Sequence, residues 1–178
     1  MMAKWILNGF TTFFVLLSLT LTPAFGASMA RKADLVVIHK QQRVLKLLSG
    51  GDTVRQYSIS LGFSPQGHKR REGDGQTPEG AYRIDWRNEN SGFHLSLHID
   101  YPRPADYPGQ ADGLAASAIA ADPGRDIMIH GLPNGVSAAR IGHPSVDWTA
   151  GCIAVTNAEI EEIWRLVDDG TAVLILPD

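Results

Sequence analysis

The sequence predicts an α+β domain built mainly of β-strands, and three observations predict it. Short β-branched runs such as Leu35-Val36-Val37-Ile38 and Val173-Leu174-Ile175-Leu176 recur between turn-forming residues. Long intervening stretches are rich in Gly and Pro. One segment after Thr156 places apolar residues at helical spacing behind an N-terminal capping signal.

The N-terminus reads as an export signal rather than as fold. Lys4 supplies the positive charge, Trp5 to Leu21 is mostly apolar, and Pro23 breaks the run before Ala24-Phe25-Gly26. The run is short for a membrane span and carries Asn8 and several Thr, so residues 1–26 are expected to be cleaved as a signal peptide. A second small-residue site ends at Ala30. Cleavage would leave 152 residues, enough for one domain with its own core, assigned to 34–178.

Leu35–Ile38, Val44–Leu48 and Val54–Leu61 read as three strands joined at Gln41-Gln42 and Gly50-Gly51-Asp52, an antiparallel meander. Gly62 to Gly80 holds five Gly and two Pro around the run His68-Lys69-Arg70-Arg71, and is expected to be a functional loop or a flap. Ala81–Trp86 and Phe93–Ile99 resume as strands. Tyr101–Pro123 reads as loop with a short helix near Leu114–Ala120. Ile127–Ile129 reads as a buried strand, Pro133–Trp148 as irregular, and Cys152–Val155 as a short strand. Thr156 and Glu159 form a capping box, with Ile160, Ile163, Trp164 and Val167 on one helical face and Gly170 placed to end the helix. Thr171–Leu176 closes the chain as a buried strand. No repeat or second domain is visible.

Charge narrows the function. Cleavage would remove one lysine and no acid, taking the net charge from −3 to −4. A mildly acidic chain argues against nucleic acid as a partner. Export without a second cysteine points to the periplasm or cell envelope, with stability drawn from the core.

The lone cysteine, Cys152, cannot form an internal disulfide. His130 ends an apolar run upstream, and Gly131 permits a sharp turn there. A thiol beside an imidazole is a nucleophile–base pair. Gly151 before Cys152 allows successive N–H groups of Gly151 and Cys152 to face a developing oxyanion. Such a site suits attack on an amide carbonyl. Spacing alone equally allows Cys152 to be an inert core residue.

The motifs Gly75-Gln76-Thr77-Pro78-Glu79-Gly80, His130-Gly131 and Thr149-Ala150-Gly151-Cys152 follow one another in this order along the chain expected to be exported. From Asp34 onward the chain resembles the L,D-transpeptidase catalytic domain, the YkuD family of peptidoglycan enzymes. The resemblance implies a β-sandwich-like fold of mixed sheets and no cofactor. It makes Cys152 the acyl-accepting nucleophile and His130 its base, with the oxyanion held by backbone N–H groups around Gly151 and Cys152. It names peptidoglycan stem peptides as substrate and a wall-anchored protein as a further partner.

Two positions depart from the family pattern. Ala150 stands where many members have His, and Ala154 where many have Arg. Both bear on recognition of the acyl acceptor or of a substrate carboxylate. Hydrolysis of the same linkage therefore stands as the alternative to transpeptidation, and a wall-binding module without turnover is the reading from another class. Arg140 is a candidate substitute for the missing Arg, and His143 and Asp147 are candidates to orient His130, contact substrate or shape the cleft wall. Trp148 is expected to cover core, with an apolar face offered to a glycan or peptide as the alternative. His130, His143, Asp147 and Cys152 match no common zinc spacing, so no metal is expected. His94 and His98 lie about 13 Å apart on a strand, too far to share an ion, and are expected to be half-exposed.

Overall fold

The computed structural model describes residues 31–107 and 122–177. The export segment and the short helix expected near residues 114–120 lie outside the described residues. Eight strands form one curled mixed sheet in the order β3-β2-β1-β8-β4-β5-β6-β7. They are β1 (Ala33–His39), β2 (Val44–Ser49), β3 (Asp52–Ser58), β4 (Gly80–Ser91), β5 (His94–Ile99), β6 (Met128–His130), β7 (Ile153–Ala154) and β8 (Val167–Leu176). The helices are α1 (Ala138–Ile141) and α2 (Asn157–Leu166). The sandwich-like expectation thus takes the form of a single sheet whose two walls face each other across one core.

The expected meander is present. β1 pairs antiparallel with β2, and β2 with β3. Gly50 and Gly51 both have positive φ, the backbone a two-residue hairpin turn needs to match strand twist. Along β2, Leu45 and Leu47 are fully buried while Val44 and Lys46 are half-buried, the two-residue period of a one-faced strand. Parallel pairing enters twice, between β1 and β8 and between β6 and β7.

Thr156 caps α2. Its hydroxyl accepts from the Glu159 N–H while the Glu159 carboxylate accepts from the Thr156 N–H at 2.8 Å. The buried face is Ile160, Ile163 and Leu166, with Trp164 half-buried. Each fully buried isoleucine contributes on the order of 1.5–3 kcal/mol. Two expectations at this end are corrected. The helix stops at Leu166, and Val167 already belongs to β8. Gly170 does not cap it. Gly170 has φ +88 inside β8, where the register against β1 shifts between Ala33 and Leu35. Pairing with β1 outcompetes another helical turn.

The edges of the sheet are stitched together. After β3 the chain runs on to pair with the segment leading into β7. Ser60 and Ala154 exchange N–H···O bonds at 3.0 and 2.9 Å, and Phe63 and Thr149 donate to Thr149 and Leu61 carbonyls at 2.9 and 3.1 Å. On the edge strand β3, Arg55 and Tyr57 reach Glu162 of α2 at 2.5 and 3.0 Å. Backbone groups beside β7 that would stand unpaired at an open edge are thereby used, while the β3 edge is tied to α2 through side chains. The stitch lies within three residues of Cys152.

Candidate active site

Cys152 immediately precedes β7, and His130 ends β6. The parallel register sets Ile129 against Ile153 and His130 against Ala154, and so brings Cys152 beside Met128. Ile129 and Ile153 are fully buried on the core side. Strand alternation then turns Met128, His130, Cys152 and Ala154 to the other face. That face floors a cleft of about 560 Å³, walled by Phe93, Ile141 and Trp148. A second cavity of about 180 Å³ adjoins the thiol, with Lys69, Glu72, Arg125 and Asp126 in its lining. Cys152 borders both.

The turn before the thiol is built from close backbone contacts. Gly151 has φ +138, and a Cβ there would stand 2.6 Å from the Gln76 carbonyl oxygen. A Cβ on Gly62 would stand 2.0 Å from the Gly75 oxygen and 3.0 Å from Gly151 Cα. The Gly75–Gly80 motif is therefore the surface on which this turn rests. Thr77, fully buried, accepts from the Gly62 N–H at 3.2 Å.

The Gly62–Gly80 segment is tied down by two buried lysines. Lys40 has its ammonium fully buried and donates to Glu79 Oε1 at 2.7 Å, the Gly67 carbonyl at 2.6 Å and the Thr77 carbonyl at 3.1 Å. Lys69, also buried, donates to Asp74 at 2.8 Å. Burial opposes ionisation of Asp74, but Lys69 and the N–H groups of Arg70, Gln76 and Arg71 outweigh it and hold its pKa at about 2. A buried charge without such partners would cost several kcal/mol, so these contacts latch the loop.

His130 is 3% exposed, with the Phe93 and Trp148 rings 4.5 and 5.7 Å from its own. Its Nδ1 lies 2.6 Å from the Gly131 carbonyl, which only accepts, so Nδ1 carries the proton and Nε2 keeps its lone pair. Burial lowers its pKa to about 4 against the partial support of that carbonyl, and His143 lowers it a little further. The thiol is pushed the other way. Burial raises the pKa of Cys152, while the Met128 N–H at 3.4 Å and the Lys69 charge resist. The Asp126 carbonyl accepts from the thiol at 3.5 Å. Both shifts favour the uncharged forms at neutral pH, a thiol and a neutral imidazole.

The supporting residues separate. Gly131 supplies the carbonyl that fixes the tautomer. Thr149 donates to the Cys152 carbonyl at 2.8 Å and accepts from the Gly151 N–H at 3.1 Å. The Gly151 N–H is thus engaged within the turn, whereas no carbonyl among the described residues accepts from the Cys152 N–H. Asp147 does not reach toward His130. It takes Arg43 through both oxygens at 2.8–3.0 Å and accepts from the Leu61 N–H at 2.9 Å. His143 is buried with Nδ1 on the Ser60 hydroxyl at 2.9 Å. Both side chains therefore brace the stitch between Ser60–Phe63 and Thr149–Ala154. Arg140 is exposed on α1, beside Ile141 of the cleft wall.

Sequence reasoning put Phe93 in a strand and favoured core for Trp148 over an apolar face toward a ligand. Phe93 is instead a 40%-exposed hairpin residue against His130, and Trp148 is half-buried in the cleft wall. A single chain offers no signal for either, because both depend on where the β4–β5 hairpin meets the loop before Cys152. His94 is half-buried on Glu161 at 2.8 Å, but His98 is buried on Asp85 at 2.6 Å, tighter than expected. Among the described residues no three His, Cys, Asp or Glu side chains converge to hold an ion.

A family model described as the L,D-transpeptidase catalytic domain, YkuD, matches residues 33–175. Among solved structures the chain is similar to the helical cell shape determining protein Pgp2 of Campylobacter jejuni. The identity is 23% over 83% of this chain and 49% of that one, with a TM-score of 0.60. It is also similar to Bd1075 of Bdellovibrio bacteriovorus, at 22% identity over 84% and 50% of the two chains and a TM-score of 0.55. An L,D-transpeptidase of Xylanimonas cellulosilytica follows at 17% identity, 83% and 62% coverage and a TM-score of 0.50. The chain spans about half the length of the first two, and likeness at these identities bears on the fold. Comparison with curated proteins finds no match.

Proposed function

Because the chain belongs to the YkuD family of L,D-transpeptidase catalytic domains, matched over residues 33–175, we propose that it transfers acyl groups of peptidoglycan stem peptides through a thioester on Cys152. One observation carries the reading. Cys152 and His130 project from adjacent parallel strands onto one cleft, with the ring's proton tied back to Gly131.

As Cys152 Sγ attacks the carbonyl of an L-configured centre linked to a D-amino acid, Nε2 of His130 takes the thiol proton. The carbonyl becomes an oxyanion, and the free Cys152 N–H is its donor. The Gly151 N–H joins it only if Thr149 Oγ1 releases it. The imidazolium then protonates the leaving amine, and the C–N bond breaks to leave a thioester. An amine acceptor, deprotonated by the same ring, attacks the thioester to form a new amide and return the thiol. A wall-anchored protein can supply that amine. Since the substrate is part of the wall, the site of action is the cell envelope. The smaller cavity that adjoins the thiol, with four charged side chains in its lining, is large enough for water and supports hydrolysis as the second reading.

Mass spectrometry of purified muropeptides incubated with the protein, with and without an added amine, tests both. New amine adducts or dimers establish ligation, and shortened monomers alone establish hydrolysis. Cys152→Ala is expected to abolish either product, and His130→Gln to slow acylation ~100-fold or more. Full turnover by Cys152→Ala would end the assignment.

A further inference from the structure

Trp86 is a large apolar side chain left 40% exposed on an ordered strand. Its indole lies almost flat on the His98 ring, 4.8 Å between centroids and 18° between planes. His98 is itself buried and anchored to Asp85 at 2.6 Å. One face of the indole is backed and held, and the other is open.

The registers relate this platform to the thiol. Trp86 pairs with His98, His98 with Met128, and Met128 lies beside Cys152. Directly opposed residues share a face. The row Trp86–His98–Met128–Cys152 therefore crosses β4, β5 and β6 and ends at the residue before β7, on the sheet face that carries the cleft. A second row, Asn88–Ser96–His130–Ala154, runs alongside it. Three inter-strand steps of ~4.8 Å set the indole about 14 Å from Cys152.

We infer that Trp86 is the platform of a saccharide subsite. It stacks on a pyranose ring of the glycan strand while the attached stem peptide runs along the row to the thiol. The proposal rests on the stem-peptide reading above. A pyranose has an apolar C–H face and a rim of hydroxyls. The open indole suits the first; Asp85 and Asp126, both against the His98 ring beneath the indole, and Asn88, two residues along β4, offer acceptors for the second. The Asp126 carboxylate stands 4.0 Å from His98 Nε2 and is 71% exposed. Two carboxylates at this end also repel an acidic peptide and favour a neutral sugar. The length agrees, since an extended stem of three or four residues spans at most ~10–14 Å.

The test compares acylation by a disaccharide-tetrapeptide with acylation by the same tetrapeptide without sugar, in wild type, Trp86→Ala and Trp86→Phe. Trp86→Ala is expected to lower kcat/KM about 5- to 10-fold for the sugar-bearing substrate, the range of one aromatic stacking contact. The sugar-free peptide should stay within twofold, and Trp86→Phe should keep most of the preference. Equal losses on both substrates, or none, would overturn the subsite. The indole N–H resonance of Trp86, assigned through Trp86→Phe, separates this outcome from failure of the acyl-transfer reading. If wild type acylates neither substrate, a shift of that resonance with the disaccharide-tetrapeptide but not with the tetrapeptide still establishes the subsite. No shift overturns it.

Discussion

Lowering the pH should destabilise this protein through one buried ring. An unfolded His130 would titrate near 6.5, and the folded one titrates near 4. Between those values the unfolded chain binds a proton that the folded chain refuses, so stability falls as pH falls through this window. At 1.36 kcal/mol per pH unit, about 2 kcal/mol is lost by pH 5 and about 3 kcal/mol by pH 4. Urea denaturation of wild type and His130→Gln at pH 7, 6, 5 and 4 isolates the effect. Glutamine does not titrate, and comparing slopes removes any constant cost of the substitution. His143, also lowered by burial, is common to both proteins. Asp74, held near 2, begins to cost stability only below the ordinary carboxylate value of 3.8. Wild type should lose about 2 kcal/mol more than the variant between pH 7 and 5. Parallel stability curves would refute a buried, neutral imidazole.

The same ring predicts that the acid limb of acylation kcat/KM lies near pH 4, since the neutral base persists down to its folded pKa. A half-fall near 6.5 would contradict this. Lys40→Met leaves Glu79 and two carbonyls without their buried ammonium, and should cost ~3 kcal/mol in urea denaturation. It should also expose the Gly62–Gly80 segment to proteolysis, so unchanged stability would remove Lys40 as a latch. Gly62→Ala drives a Cβ into the Gly75 carbonyl and should cost ~1–3 kcal/mol. It should also slow acylation, because Gly151 must shift. Gly51→Ala, strained but with no atom near its Cβ, is the control and should leave acylation unchanged.

Local patterns were legible where neighbours in sequence decide the outcome. The Leu45/Leu47 alternation, the Gly50-Gly51 turn and the Thr156–Glu159 box each appear as read. Gly170 misled because the end of α2 is set by pairing of β8 with β1, far away in sequence. The partners of Asp147 and His143 are Arg43 and Ser60, far back along the chain, so nearness to Cys152 in sequence did not make them legible.

The sequence by itself determined that a single thiol and a His-Gly pair stand in a β-rich domain of a recognisable family, because those facts reside in residue types and their order. Only the tertiary structure decided that the two groups share a cleft, that burial pushes both toward their uncharged forms, and that Trp86 lies in line with the thiol. Ionisation and alignment depend on burial and strand register, which arise when distant segments pack together.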